Sequence, residues 1–308
     1  MKTYKLNIIF FVYFVSLTSV PFSWAGLNII TTTQDLASIA EELGGSLVKV
    51  NSLIKGNQDP HYIQPKPSYM VKMNRADLLI YQGLELEIGW LPVLIEGSRN
   101  PEIRLGQRGH LDASENISRL EVTVGDVNRS MGDIHPFGNP HYNLDPENGF
   151  IIAKSIFDKL VELDPENKLK YESNLSQFNQ KLKAKINQWE KQMEPFRGTK
   201  IITYHKVWIY FAQKFGLVIP STIEVKPGVP PTTKHLAYLT GLMKREKIKM
   251  IIQSNYYESK FAHMIADKTG ATVQTLPAFV GGVPEAQDYF SLFDKINEVF
   301  IHNLKSGS

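Results

Sequence analysis

The sequence predicts an α/β protein with two lobes, each a mainly parallel sheet flanked by helices, joined by one long rigid helix. Short β-rich runs alternate with helical patterns on both sides of the middle of the chain, which favours parallel sheets. Between them an apolar stripe recurs at spacings of three and four up to Pro195. We therefore predict an N-terminal lobe over 26–163, a connecting helix over 164–195 and a C-terminal lobe over 196–308.

The N-terminal lobe begins with a strand and a helix whose limits are marked by the residue types. Asp35 opens the helix and Gly44-Gly45 ends it, because glycine accepts the left-handed conformation that closes helices. Short apolar runs predict the strands of this lobe at 27–31, 48–53 and 77–81, and a second helical pattern covers 67–76.

The connecting helix has the strongest start signal in the chain. Asp164 is a favourable N-cap and Pro165 suits the first helical position. Beyond the helix the strand–helix alternation resumes. Strands are predicted at 200–204, 249–253 and 272–276, and helices at 208–215, 232–246, 261–268 and from about Asp288 to Leu304.

The first 25 residues have the pattern of a secretory signal peptide. Lys2 and Lys5 precede an apolar run over 8–15, and the small residues Ser23 and Ala25 fit a cleavage site before Gly26. The chain has no cysteine, which argues against disulfides, thiolate ligands and a lipid anchor. We expect an exported protein of the bacterial periplasm.

The charge balance gives no sign of a polyanionic partner. The formal charge is +3, and loss of Lys2 and Lys5 with the signal peptide would leave the mature chain almost neutral. Nucleic acid is therefore not an expected partner. We expect a monomer that binds a small ligand between its lobes, outside the carboxyl ends of the strands.

Three histidines in distinctive surroundings are the candidate functional residues. His61 lies in DPHYIQPKPSY, His141 in GNPHYNLDPENG and His205 in TYHKVWIYF. Neutral imidazole is the commonest protein ligand for zinc-like metals. His135 lies near His141, and spacing alone does not choose between them. No zinc-finger or HExxH spacing occurs, which argues against a zinc protease.

These segments resemble the metal-specific solute-binding proteins of bacterial zinc and manganese ABC transporters. The resemblance also includes IEVKPGVPPTTKHL and IIQSNYYES and extends over nearly all of the mature chain. It implies two α/β lobes joined by one long helix, as the patterns independently predict. It further implies that His61, His141 and His205 are metal ligands facing the cleft between the lobes.

The fourth ligand is left open by the residues. Members of this family often supply an Asp shortly before the terminal helix, where this chain reads GGVPEAQDYFSLFDKI. We favour Asp288, with Gln287, Glu285 or water as alternatives. An N-capping role for Asp288 competes with ligation, because one carboxylate can hardly serve both.

Three imidazoles with one carboxylate or water suit tetrahedral zinc (Zn2+), whereas manganese (Mn2+) prefers more oxygen ligands. The resemblance adds that manganese-type members tend to have two His and two carboxylates, so His205 favours zinc. The loop before His141 is short, and His135 is interpreted as a transient relay for the metal. Candidate hydrogen-bond partners of the ligands are Glu85, Glu87, Asp145 and Glu224.

The predicted function is capture of zinc, with manganese as the alternative metal, and delivery to the membrane permease of an ABC transporter. The chain is not expected to be an enzyme. A zinc hydrolase would need a general base beside a metal-bound water. A siderophore, haem or cobalamin binder would share the architecture but would need an open, aromatic or Arg-lined cleft.

Overall fold

A computed structural model describes residues 26–123, 135–226 and 228–306. The predicted signal peptide lies outside the described residues. Within these ranges no helix is both long enough and apolar enough to cross a membrane. The two-lobed α/β fold and the long connecting helix are confirmed.

The N-terminal lobe is built on a four-stranded parallel sheet in the order β2-β1-β3-β4. Its strands are β1 (Leu27–Thr31), β2 (Val48–Ser52), β3 (Leu78–Tyr81) and β4 (His110–Asp112). Its helices are α1 (Gln34–Gly44), α2 (Pro67–Asn74), α3 (Leu91–Ser98) and α4 (Asn148–Leu163). Strand β4 was not predicted, because it is only three residues long and buries only Leu111.

The long helix α5 spans Lys168–Met193, with a 3-10 turn at each end. Asp164 precedes the first turn, Pro165–Asn167, as predicted, but its side chain does not cap a backbone N–H. Its Oδ2 instead accepts hydrogen bonds from Tyr171 Oη at 2.7 Å and from Asn167 Nδ2 at 2.8 Å. The helical segment therefore starts at Pro165 as predicted, with one 3-10 turn before its α-helical part begins at Lys168.

Helix α5 is attached to both lobes along its length. Asn174 Nδ2 donates to the carbonyl of Leu43 in the N-terminal lobe at 2.7 Å. Trp189 Nε1 donates to Asp294 Oδ1 in the C-terminal lobe at 2.8 Å, and the Trp189 ring packs on Phe293. The buried face of α5 belongs to one hydrophobic core that includes residues of both lobes. These contacts favour local loop motion over wide movement of the lobes.

The C-terminal lobe has a three-stranded parallel sheet in the order β5-β6-β7. Its strands are β5 (Ile202–Thr203), β6 (Met250–Ser254) and β7 (Thr272–Leu276). Its helices are α6 (Ile209–Phe215), α7 (Thr233–Glu246), α8 (Lys260–Thr269) and α9 (Tyr289–Ser306). Strand β5 is shorter than the predicted 200–204, because Lys200 makes only an isolated bridge to Val218.

Candidate metal centre

Three histidines from distant parts of the chain meet in the structure. His61 lies in the connection from β2 to α2, His141 precedes the 3-10 turn Tyr142–Leu144, and His205 follows the carboxyl end of β5. One ring nitrogen from each can be chosen so that all three lie within 4.8 Å of one another. The ring centroids are 5.4 to 5.8 Å apart. Among the described residues, these three histidines form the one group whose ligand atoms lie close enough together to hold a metal ion.

The loop that carries His61 is fixed from both sides. Asp59 Oδ1 accepts the backbone N–H of His61 at 3.0 Å and lies 2.7 Å from its Nδ1. Trp90 Nε1 donates to the carbonyl of Pro60 at 2.8 Å, so a buried indole anchors the same loop. Burial opposes ionisation of Asp59, but its hydrogen bonds and the charge of His61 outweigh it and lower the Asp59 pKa. The ionised carboxylate holds the Nδ1 proton, which leaves His61 Nε2 to bind a ligand.

Glu224 holds His205 in the same way. Its Oε2 lies 2.6 Å from His205 Nδ1, and both side chains are less than 10% exposed. Its Oε1 accepts the backbone N–H of Gly228 at 2.9 Å. Gly228 has a φ of +74°, a conformation that favours glycine. The turn after Glu224 therefore fixes the carboxylate, which in turn presents His205 Nε2 to the cluster.

His141 is the most deeply buried of the three, at 1% exposure. Its backbone N–H donates to Asn139 Oδ1 at 2.9 Å. Neither ring nitrogen has a hydrogen-bond partner among the described residues. Burial, followed by the nearby histidines, lowers the pKa of His141 well below its usual value. The ring is therefore neutral and offers an unused lone pair inside the protein, which is costly unless something binds it.

His135 lies against this cluster. Its Nε2 is 3.1 Å from Nε2 of His61, and the two ring centroids are 5.2 Å apart. Burial is the main cause that lowers the pKa of His135 to about 3, with a smaller effect from His61 and His205. His135 is therefore a neutral imidazole at physiological pH. The sequence shows only that His135 is close to His141 along the chain. Its role as a relay for the metal stays a prediction.

Asp288 does not belong to the close group of imidazole nitrogens. It stands immediately before α9, where its Oδ1 accepts the backbone N–H of Ser291 at 2.7 Å. This is the N-capping role that the sequence set against ligation. Gln287 Nε2 donates to the carbonyl of Pro284 at 3.0 Å, and Glu285 is exposed. Asp288, Gln287 and Glu285 stay untested as ligands.

Of the predicted partners of the ligands, Glu224 alone is paired with one of the three histidines. Glu87 accepts from Thr32 Oγ1 at 2.6 Å and from the backbone N–H of Gln82 at 2.8 Å, and burial raises its pKa to about 7. Asp145 Oδ1 accepts the backbone N–H of Glu147. Sequence reasoning missed Asp59, although a carboxylate two residues before His61 is the spacing of an Asx turn.

A second buried network joins the lobes near His141. Asn143 Nδ2 donates to Asp35 Oδ1 at 3.2 Å and to the carbonyl of Ala278 at 3.1 Å. Asp35 Oδ2 accepts the backbone N–H of Val280 at 3.2 Å. Burial is the main cause that raises the Asp35 pKa to about 7, and the hydrogen bonds only partly oppose it. The segment after His141 is therefore attached to the C-terminal lobe.

The cluster as a whole is a buried group of imidazole nitrogens. Two of its imidazoles have their Nδ1 atoms held by carboxylates, and the third has both ring nitrogens unused. Imidazoles held in this way suit divalent metals of intermediate softness, such as zinc. The donor set therefore fits a divalent transition metal.

Comparison of the sequence with known proteins identifies the family of this chain. The sequence model of the zinc-uptake complex component A family (ZnuA, periplasmic) matches residues 29–301. The manganese ABC transporter substrate-binding lipoprotein PsaA of Streptococcus pneumoniae is 29% identical over 239 residues, covering 75% of this chain and 73% of that protein.

Two solved structures share the fold over nearly the whole chain. A crystal structure of ZnuA superposes with a TM-score of 0.77 and 27% identity, covering 92% of this chain and 100% of that one. A zinc-bound ZnuA lacking residues 138–173 in its own numbering superposes with a TM-score of 0.76 and 26% identity, covering 90% and 98%. The chain therefore belongs to the ZnuA family of metal-specific substrate-binding proteins of ABC transporters.

Proposed function

We propose that this protein captures zinc (Zn2+) in the periplasm and delivers it to the membrane permease of an ABC transporter. His61, His141 and His205 are the proposed ligands. The observation that carries the proposal is His141, a buried imidazole without a hydrogen-bond partner in the described part of the chain, beside two imidazoles that carboxylates hold. A divalent cation between the three rings would supply the missing partner for His141.

The choice of zinc follows from the donor atoms. All three proposed ligands are nitrogens, which suit Zn2+ at distances of about 2.0–2.1 Å. Mn2+ favours carboxylate, carbonyl and water oxygens. The carboxylates that contact the proposed ligands, Asp59 and Glu224, do so at Nδ1 atoms. Support also comes from the structural relative that was solved with zinc bound.

Manganese is the second candidate. Its basis is the relative from S. pneumoniae, which is named as a manganese ABC transporter protein. Under this alternative the same pocket would bind Mn2+ with additional oxygen ligands, with Asp288 as the predicted carboxylate. The two alternatives therefore differ in whether oxygen ligands such as the Asp288 carboxylate are needed to bind the metal.

Delivery rather than catalysis is the proposed role of the bound metal. The three imidazoles are buried, with side-chain exposures of 4% for His61 and 5% for His205. A hydrolytic zinc site needs an open position for water and substrate. We propose a monomer that gives up the metal by local movement of the loops carrying His61 and His205, since α5 holds both lobes.

The decisive experiment is metal analysis of the purified full-length mature protein. We expect one zinc per chain after dialysis against mixed divalent metals, and competition titration with a chromophoric chelator should show zinc bound more tightly than manganese. The triple variant His61→Ala/His141→Ala/His205→Ala should bind neither metal. His263→Ala, an exposed histidine on α8, is the matched control. Stoichiometric zinc on the triple variant would refute the proposed site, and tighter binding of manganese would refute the choice of zinc.

A further inference from the structure

The contact between His135 and His61 involves the nitrogen that is proposed to bind zinc. Nδ1 of His61 is occupied by Asp59 at 2.7 Å, so in a neutral ring the proton is on Nδ1 and Nε2 carries a lone pair. Nε2 of His135 lies 3.1 Å from this same Nε2. His135 therefore approaches the cluster from the side on which His61 offers its lone pair.

The separation of these two nitrogens is close to that of two ligands on one metal. Two nitrogens at the usual zinc distance on a tetrahedral ion are about 3.4 Å apart. The pair His61–His135 is at 3.1 Å. Nε2 of His135 does not lie within 4.8 Å of all three other ligand atoms.

The backbone around His135 is held by the elements that hold the other histidines. Thr123 N–H donates to the carbonyl of Pro136 at 3.2 Å, and Asn139 N–H donates to the carbonyl of Leu120 at 2.8 Å. We call residues 120–123 and 136–139 the stem. Pro136, the residue after His135, accepts a backbone hydrogen bond from Thr123. The stem therefore fixes the position of His135 in the fold.

Asn139 connects this stem to the rest of the site. Its Oδ1 accepts the backbone N–H of His141 at 2.9 Å, and its Nδ2 donates to the carbonyl of Lys206 at 2.8 Å. Lys206 follows His205 directly in the chain. One asparagine of the stem therefore fixes the backbone beside His141 and beside His205, and the same stem carries His135.

We propose that His135 is the fourth zinc ligand, which completes an all-imidazole site with His61, His141 and His205. The inference rests on the proposed zinc-binding function. It gives the fourth position to a side chain already in contact with His61, whereas Asp288 uses its carboxylate to cap α9. A site of four nitrogens selects against Mn2+, which favours oxygen.

X-ray absorption at the zinc edge tests the proposal on the zinc-loaded, full-length mature protein. We expect the signal of four imidazoles in the wild type and in Asp288→Asn, and three in His135→Ala. Chelator competition should show zinc affinity reduced at least about tenfold in His135→Ala, and unchanged in Asp288→Asn and in His263→Ala. His135→Gln provides a second variant if the alanine protein does not fold.

The outcomes separate this inference from the proposed function. Three imidazoles in the wild type, with a zinc affinity that His135→Ala leaves unchanged, would overturn the role of His135 and leave the proposed function standing. Loss of affinity in Asp288→Asn with an oxygen ligand in the wild-type spectrum would likewise overturn it. A wild type that binds no zinc would overturn both. Four imidazoles that fall to three only in the His135 variants support the proposal.

Discussion

Nδ1 of His205 lies 2.6 Å from Oε2 of Glu224, while Oε1 of the same carboxylate accepts the backbone N–H of Gly228. The carboxylate therefore has both oxygens committed, one to the imidazole and one to the turn that follows it. Because the carboxylate accepts the Nδ1 proton, Nε2 of His205 carries the lone pair that a metal needs.

Glu224→Gln tests this relationship. With Oε1 still bound to Gly228, the new amide group would face His205 as a donor and favour the tautomer with its proton on Nε2. We expect zinc affinity to fall by about 10–100-fold with the fold unchanged, because loss of such a partner typically has this effect. Chelator competition and circular dichroism measure the two quantities. An affinity within twofold of wild type would contradict the role of Glu224. Glu298→Gln is the control, since Glu298 is exposed and pairs with Lys295 on α9.

His141→Leu should separate metal binding from folding. The imidazole is 1% exposed and its nitrogens have no partner in the described structure, so replacing it with an apolar side chain removes unsatisfied polar atoms. We expect the metal-free variant to melt no lower than the metal-free wild type, and the zinc-induced rise in Tm to vanish. Thermal melts with and without zinc test this.

The contrasting variant is His235→Leu. Its Nε2 is 2.8 Å from the carbonyl of Thr222, so the substitution removes a hydrogen bond and should cost about 1 kcal/mol. A His141→Leu protein that melts lower than His235→Leu would show that His141 stabilises the metal-free fold, contrary to this account.

The pH dependence of stability should reveal Asp35. Its pKa is raised from 3.8 to about 7, so between these values the folded state binds more protons than the unfolded chain. Its stabilising contribution is therefore complete below about pH 3.8 and is lost as the pH rises through 7. Asp35→Asn lacks this contribution, so we expect its unfolding free energy to fall less steeply between about pH 4 and 7, by about 1.4 kcal/mol per pH unit.

Urea denaturation of the metal-free protein at several pH values measures this slope. A constant loss of stability from the altered hydrogen bond to Val280 would shift the whole profile without changing its slope. Asp158→Asn is the matched control, because Asp158 is exposed and pairs with Lys154. Equal slopes for wild type and Asp35→Asn would rule out the raised pKa.

Gly149 marks a close approach of three helices. A Cβ at this position of α4 would lie 2.8 Å from Tyr289 Cε1 of α9 and 2.9 Å from Leu182 Cδ2 of α5. We expect Gly149→Ala to destabilise the protein by about 1–3 kcal/mol, because a packed interior yields little to added volume. Gly241→Ala in α7 is the control. Apart from the two chain neighbours and the backbone of its own helix, no atom of the described residues lies within 4 Å of the added Cβ there. This variant should therefore be unchanged or slightly more stable in urea denaturation.

Most of the strands and helices could be predicted because local patterns determine them, although α3 was not predicted. The run before Gly270 and the run over 272–276 both fold as their residues indicate, into α8 and β7. Strand β4 could not be predicted, since three residues with one buried side chain give no periodicity. The role of Asp164 differs from the prediction: its side chain bonds to Tyr171 about two turns along, an interaction that the N-cap pattern does not contain.

Parts of the candidate site could also be predicted from local sequence patterns. Glu224 was named as one of four candidate carboxylate partners with no choice among them, and its pairing with His205 depends on the turn at Gly228. The contact between His61 and His135 joins positions 74 residues apart. Their approach is set by the stem and by the loop at Asp59, and no spacing in one sequence reports it.

The attachment of α5 to both lobes also concerns how the protein unfolds. The two sheets share no strand, yet one continuous hydrophobic core runs from Ile29 through Leu182 to Phe300. Loss of packing against α5 by either lobe would expose apolar surface of this shared core. The two lobes should therefore melt together in a single cooperative transition, despite their separate sheets.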